Sequence, residues 1–516
     1  MAWSLDCWPD PVAMGRLSSP GGTAQRHLRR EIWISVRVGL FRNHPMYLRQ
    51  LRVGGLKRLH GFTLDVTHRG KPRMWTVLIG ENGTAKTTLL QAIALAAAGS
   101  KQVNTLVGPI VRHLRDRRTD TPMSIEARFE FTPSSLVSAD AHPHLQGDKA
   151  GLRLLSKVTL EPGSTSLDAH ATYTREGGQQ VDPNSSKDPL DAARDVHRPL
   201  WFVAGYGVSR GLPNAVTEPS LDRPSIDRLA PLFNNQALLA STSFSNYFLK
   251  IDAQAGRSKG ETSRVYGRML NDAVQLGGRE LLPDIEKIEL RGRGGVGRAA
   301  DLIESDRFHQ RMGSGVHKIP GVALSHGYQS TFAWIADLIG HVFLESRGGI
   351  PTTDMEGLVL LDEIDLYLHP SWQATFIRAL RRVFPKIQFI ATTHSPVVLG
   401  ELAPHEVVRL IIDRETGNVA RGAWDPETGE LVPTDNGRTE QPDPRPMTGS
   451  EIYRTWFGMD RLTPNPSGED LREYLVLAGD PLRTELDEAR RKELERRLDE
   501  AGLTERKQPV PREESG

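Results

Sequence analysis

Nine consecutive residues carry the densest chemistry in the chain: Gly80-Glu81-Asn82-Gly83-Thr84-Ala85-Lys86-Thr87-Thr88. Glycines in a tight turn followed by Lys-Thr suit a loop that wraps phosphate, with backbone N–H groups and a helix N-terminus aimed at the anion. In that arrangement Lys86 reaches the β/γ-phosphates and the Thr87 hydroxyl sits on Mg²⁺. The flanks supply the necessary elements. Val77, Leu78 and Ile79 form a short apolar run that suits a strand buried on both faces. Leu89, Leu90, Ile93, Ala94 and Ala97 follow at helical spacing. One position departs from the pattern. Ala85 stands where glycine is expected before the lysine, and a backbone with φ > 0 would strain it. A chance strand–turn–helix is the bland alternative for this stretch alone.

Three later stretches weigh against chance. Leu324-Ser325-His326-Gly327-Tyr328-Gln329 opens a segment in which Phe332, Ile335, Ile339 and Val342 make a helical apolar stripe. Gly357-Leu358-Val359-Leu360-Leu361 runs as a buried strand into Asp362 and Glu363. A second apolar strand, from Ile387 to Ala391, ends in Thr392-Thr393-His394-Ser395-Pro396. Separately, an Asp-Glu strand end reads as a solvated turn and a Ser-His-Gly as an ordinary helix cap. In this order they resemble the head of an ABC-type AAA ATPase. The long insertion between loop and signature is like that of the SMC/RecF/OLD branch.

The resemblance implies ATP and Mg²⁺ as ligands and assigns roles. Gly80 to Thr88 would bind the nucleotide, Thr87 and Asp362 the metal shell, and Glu363 the attacking water. His394 would contact the γ-phosphate. Ser325, Gly327 and Gln329 belong to a signature expected to face nucleotide held by a second protomer, so a homodimer is implied. Phosphoryl transfer depends mainly on positioning and charge neutralisation, which these groups could supply.

The implied fold is α/β: a P-loop ABC-type ATPase head split by a mainly helical insertion lobe, with a C-terminal accessory segment. The expected boundaries are a leader over 1–45, half-heads over 46–131 and 320–412, the insertion over 132–319, and a linker with accessory helices over 413–516. The leader is punctuated by Pro, Gly and Ser, and an alternating strand begins at Met46-Tyr47-Leu48. Met46 is therefore expected to be the true start. A basic arm built on Arg26, His27, Arg29 and Arg30 is the sharper alternative.

Within the insertion, Leu200-Trp201-Phe202-Val203-Ala204-Gly205-Tyr206-Gly207-Val208-Ser209-Arg210 resembles the GYG…R element of single-chain ATPases of this branch. A Q-loop glutamine is not placed; Gln179 and Gln180 are the nearest candidates. Residues 231–251 are expected to be helical. Arg112, Arg115, Arg117 and Arg118 suit a solvated helix face or, alternatively, a DNA-backbone contact. Leu366-Tyr367-Leu368-His369-Pro370 resembles the D-loop region, where His369 before proline holds a turn rather than a metal. Turn residues after Asp413, including Asp425-Pro426-Glu427-Thr428-Gly429, predict a hairpin. Trp456-Phe457-Gly458-Met459-Asp460 resembles an element of defence-associated ATPases, and the charged tail carries Leu494 and Leu498 on one face as a partner surface.

At 516 residues the chain exceeds one ordinary core. Its 38% hydrophobic and 25% charged content is that of a soluble globular protein. A formal net charge of +1 provides no global field for nucleic acid, so DNA binding would need a local patch. The single cysteine, Cys7, excludes an intrachain disulfide and suits a cytoplasmic setting. No run reaches membrane-spanning length, and no secretory signal is recognised. The resemblance to Septu-type single-chain ATPases implies an anti-phage role with a separate nuclease effector, since no Toprim-like acidic constellation follows the head. Two alternatives stand beside it: a RecF-like DNA-repair ATPase, and a nucleotide-sensing scaffold in which Ala85 has reduced turnover.

Overall fold

The computed structural model describes residues 47–130, 153–175, 178–181, 188–193, 202–210, 223–234, 260–290, 306–345, 350–425, 430–434, 441–459 and 466–503, and the single positions Leu238, Phe244, Phe248, Asp252 and Gly256. The leader over 1–45, Trp201, Asp460, the polar stretch 291–298 and most of 231–251 lie outside these residues.

A seven-stranded sheet forms the centre, in the order β10 (Val203–Tyr206), β14 (Gly357–Leu361), β15 (Ile387–Thr392), β5 (Trp75–Gly80), β16 (Val407–Ile412), β17 (Val419–Asp425) and β18 (Glu430–Pro433). The first five run parallel. Their sequences explain this: β14 and β15 are buried at every position and β5 at all but its last, as strands covered on both faces must be. β17 and β18 are antiparallel additions. The predicted hairpin is therefore part of the head sheet, and the head does not stop at Ile412.

A second, six-stranded sheet is antiparallel, in the order β2 (Phe62–Asp65), β1 (Tyr47–Gly54), β6 (Met123–Glu130), β7 (Arg153–Leu160), β8 (Asp168–Thr174) and β9 (Gln180–Val181). A short pair, β3 (Thr67–His68) and β4 (Lys71–Pro72), joins β2 to β5. The helix Lys86–Ala98 lies between the two sheets, and eleven of its thirteen residues are buried. Its alanines let both layers approach closely, and one apolar cluster joins Leu51 and Ile125 of one sheet to Leu78 and Leu360 of the other through Leu90 and Ile93. The opposite face of the parallel sheet is covered by the helices Glu261–Leu281, His326–Glu345 and Pro370–Val383.

The described part of the 132–319 insertion is not mainly helical as expected. Among its described residues, β7, β8 and β9 extend the antiparallel sheet and β10 joins the central one. Among the described residues, Glu261–Leu281 is the one long helix of this region, followed by the three-stranded sheet β11 (Ile285–Glu289), β12 (Arg307–Met312) and β13 (Gly315–Pro320). β7 alternates buried and half-buried positions, the pattern of a strand covered on one face.

Two smaller expectations also change. The arginines at 112–118 do not share a helix face: Arg112 is exposed on the 3-10 helix Gly108–His113, Arg115, Arg117 and Arg118 lie beyond it, and Arg118 is held by the Asp116 carboxylate and Asn418 Oδ1. Leu494 and Leu498 are fully buried where the helices Pro466–Gly479 and Glu485–Glu500 pack together. The exposed apolar residues of that hairpin are Leu475, Val476, Leu482 and Leu486. Among the described residues, no helix is long and apolar enough to cross a membrane.

Candidate functional site

The site forms at the carboxyl ends of β5, β14 and β15, where an open parallel sheet offers a crevice to ligands. Gly80 closes β5 with φ +154, and a Cβ there would collide with the Leu410 carbonyl oxygen on β16. The loop then folds on itself: Thr84 is buried and its hydroxyl donates to the Glu81 carbonyl at 2.7 Å. Gly83, with φ +84, has open space where a side chain would stand. Ala85 adopts φ 63 and ψ 24, so the residue in the expected glycine position is left-handed. The helix begins at Lys86. Its ammonium donates to the carbonyls of Gly80 (2.8 Å) and Glu81 (2.9 Å), tying the two ends of the loop together. Burial lowers the Lys86 pKa, while the nearby Asp362 and Glu363 carboxylates oppose that shift.

From the helix start, hydrogen bonds run across the sheet end. The Thr87 hydroxyl donates to Asp362 Oδ2 at 2.7 Å. The other Asp362 oxygen accepts from Thr392 Oγ1 at 2.6 Å, and that hydroxyl accepts from the Glu363 N–H at 2.7 Å. Asp362 is buried, whereas Glu363 is half-buried with φ 48. Arg210, buried just after β10, donates to the carbonyl oxygens of Asp362, Glu363 and Gly207. Its pKa is brought down to about 10 by burial and supported by the carboxylates of Asp362, Asp365 and Glu363. Neither Thr392 nor Arg210 is assigned a site role by sequence reasoning. Residue type and the GYG…R context mark Arg210, but the carbonyls it binds lie 152 and 153 positions away.

His394 is exposed at the end of β15, two residues beyond Thr392. Ser325 precedes the helix His326–Glu345 and its carbonyl accepts from the Gln329 N–H at 3.0 Å. The Gln329 amide donates to the carbonyls of Leu324 (2.6 Å) and Val322 (3.1 Å), bracing the turn before the helix. Gly327 faces its own chain: a Cβ would lie 2.6 Å from the Tyr367 carbonyl oxygen and 3.4 Å from the Trp372 ring. Among the described residues, no hydrogen bond joins this signature to the 80–88 loop. His369 Nδ1 pairs with Ser371 Oγ at 2.8 Å and caps the helix Pro370–Val383, the turn-holding role expected of it.

The donor set fits a nucleotide phosphate with a divalent cation. Thr87 Oγ1 and Asp362 Oδ2 are hard oxygen ligands already side by side. Among the described residues, no cluster of three His, Cys, Asp or Glu forms a closed protein cage. Mg²⁺ favours such a sparse protein shell, completed by water and substrate phosphates.

The parallel order around β5, the phosphate loop and the Asp-Glu strand end decide the architecture. The fold is that of an ABC-type AAA ATPase. The family described as "AAA domain, putative AbiEii toxin, Type IV TA system" matches residues 226–400, which take in the signature, Asp362-Glu363 and His394 but not the phosphate loop. The chain is similar to the Septu protein PtuA of Bacillus mycoides (strain KBAB4), with 24% identity over 373 residues that cover 72% of this chain and 41% of that protein. It thus spans well under half of that relative's length. A Septu protein PtuA of Bacillus thuringiensis is 39% identical over 115 residues, 22% of this chain and 29% of that one. The Retron Ec83 probable ATPase of Escherichia coli is 48% identical over 75 residues, 14% of each. Among solved structures, an SMC head bound to the C-terminal winged-helix domain of ScpA covers 73% of this chain and 97% of its own, with 13% identity and a TM-score of 0.42.

Proposed function

We propose that this ABC-type head binds ATP with Mg²⁺ and hydrolyses it to ADP and inorganic phosphate. The reading is supported by the bond chain Thr87–Asp362–Thr392–Glu363, in which two oxygen groups suited to Mg²⁺ are hydrogen-bonded to each other and the Glu363 backbone N–H is tied to the same network. Bound Mg²⁺ would supply charge neutralisation on the phosphates. Lys86 and the loop N–H groups hold the β/γ-phosphates. Glu363 orients a water and takes its proton as the oxygen bonds to the γ-phosphorus, while the bond to the β-γ bridging oxygen breaks. His394, exposed at the rim, reaches the γ-phosphate. Ser325 and Gly327 serve the nucleotide of a second protomer, so that ATP closes a homodimer.

The similarity to Septu and retron proteins supports a bacterial anti-phage role in which this cycle controls a separate effector, a nuclease by analogy. Leu475, Val476, Leu482 and Leu486 offer an apolar surface for such a partner. The cytoplasm is the corresponding location. The left-handed Ala85 favours a second reading, a nucleotide sensor of low turnover. Phosphate release by the purified chain, against a Glu363→Gln variant, separates the two. Release that stops in the variant while ATP still binds supports the enzyme; absent release in both, with ATP bound, supports the sensor.

A further inference from the structure

The central sheet splits beside β16. β17 pairs with β16 only through Leu410, Ile411 and Ile412, and from Gly422 onward it pairs with β18 instead. The divergence opens a cleft of about 690 Å³ bordered by Val407 to Arg409, Arg421 and Gly422, the β2–β3 region and Trp456. That volume lies within the range of small-molecule sites.

The lining is unusually cationic for so buried a place. Arg73 and Arg409 are 8% and 4% exposed, and Arg421 is half-buried. Arg73 donates to the carbonyls of His405 and Asp65, and Arg409 to that of Thr455. Their remaining donors are not used: Arg73 Nε, Arg409 Nε and Nη1, and Trp456 Nε1 have no partner among the described residues. One buried acceptor, Gln50 Oε1, is equally without a partner there. Among the described residues, Asp65 is the one carboxylate in the lining, and its Oδ1 already accepts from the backbone and hydroxyl of Thr67. His68 and His405 stack at 3.8 Å along the wall. Burial brings Arg409 down to about 9 and Arg73 to about 10, so both stay cationic at neutral pH. Buried donors left unpaired cost on the order of 1–3 kcal/mol each, more when charged, and natural structures rarely leave them so.

We propose that this cleft is a second ligand site that takes a small phosphate-bearing molecule of mononucleotide size. The phosphate oxygens accept from the Arg421 guanidinium at the cleft wall, with Arg73 and Arg409 adding positive charge from the same lining. Arg73 lies before β5, about 20 Å along six strand residues from the start of the phosphate loop, whereas Arg409 pairs with Ile79 beside it, so a Lys86 variant is the control that tells the two sites apart.

The test is calorimetric titration of the full chain with AMP and with inorganic phosphate. Arg421→Gln and Arg409→Met are each expected to weaken AMP at least about ten-fold, the loss of a charged hydrogen bond, while Lys86→Ala leaves it unchanged. Phosphate binding as tightly as AMP would identify free phosphate as the ligand; tighter AMP would identify a nucleotide. Arg421→Gln, at a half-buried position, decides the matter where Arg409→Met does not fold. Equal affinity in folded Arg421→Gln, loss only in Lys86→Ala, or no binding of either probe at millimolar concentration would overturn the proposal.

Discussion

Ala85 shows what one methyl group can govern. Its left-handed backbone was foreseeable, because the turn into a phosphate-loop helix is tight and glycine is the residue that adopts it freely. The strain is about 1–2 kcal/mol. Ala85→Gly is therefore expected to tighten ATP binding roughly ten-fold, since 1.4 kcal/mol is a factor of ten. Glu363→Gln keeps size and hydrogen bonding but removes the base, so it should bind ATP and stop releasing phosphate. The double variant should combine the tighter binding with the absent turnover, because one change lies in the loop and the other at the water. Titration and phosphate release across the four proteins check this. Weaker binding in Ala85→Gly would show a loop built around alanine, and unchanged turnover in Glu363→Gln would remove it from the chemistry. What the sequence could not show was the contacts of Thr392 and Arg210. The GYG…R context marks Arg210, but the groups that each residue holds are set by strand register.

At the scale of elements, legibility followed burial symmetry. β5, β14 and β15 are apolar throughout because both faces are covered, so their runs stand out in the sequence. β7 and β8 are covered on one face and interrupted by polar residues, which hid the extension of the antiparallel sheet inside an apparent insertion. The signature is a subtler case. The resemblance assigns its glycine to a second protomer, yet the backbone gives Gly327 a reason within its own chain. A Cβ would press on the Tyr367 carbonyl, in the turn that also carries Glu363 with positive φ. Gly327→Ala is thus expected to slow phosphate release in proportion to the loop's displacement. Ser325→Arg, by contrast, should abolish release while leaving ATP affinity nearly intact, if the signature serves a facing nucleotide. Equal loss of ATP binding and release in Ser325→Arg would count against that dimer arrangement. Unchanged release in Gly327→Ala would show that the turn accommodates the methyl.

A buried polar cluster lies between the central sheet and the helices that cover it, and its titration bears on the stability of the whole molecule. Tyr206 on β10 donates to Asp337 at 2.9 Å, Tyr266 donates to the Ala336 carbonyl, and the His341 ring stands edge-on to Phe244. His341 is 1% exposed, and burial together with the neighbouring Arg228 cation holds its pKa well below the ordinary 6.5. Asp337 Oδ1 lies 3.7 Å from its Nε2, too far to restore a proton against that burial. The folded protein therefore keeps this imidazole neutral, whereas the unfolded chain protonates it below about pH 6.5. Because the unfolded state binds the extra proton, this group's contribution to stability is complete above 6.5 and falls as the pH is lowered. The slope approaches about 1.4 kcal/mol per pH unit once the unfolded imidazole is charged and until the folded one titrates. His341→Phe keeps a ring against Phe244 and removes the titration. Thermal melts between pH 7.5 and 5 should show the wild type losing stability on acidification more steeply than the variant, about one proton's worth between them. Parallel curves would mean that His341 takes up its proton inside the fold, with Asp337 as its counterion.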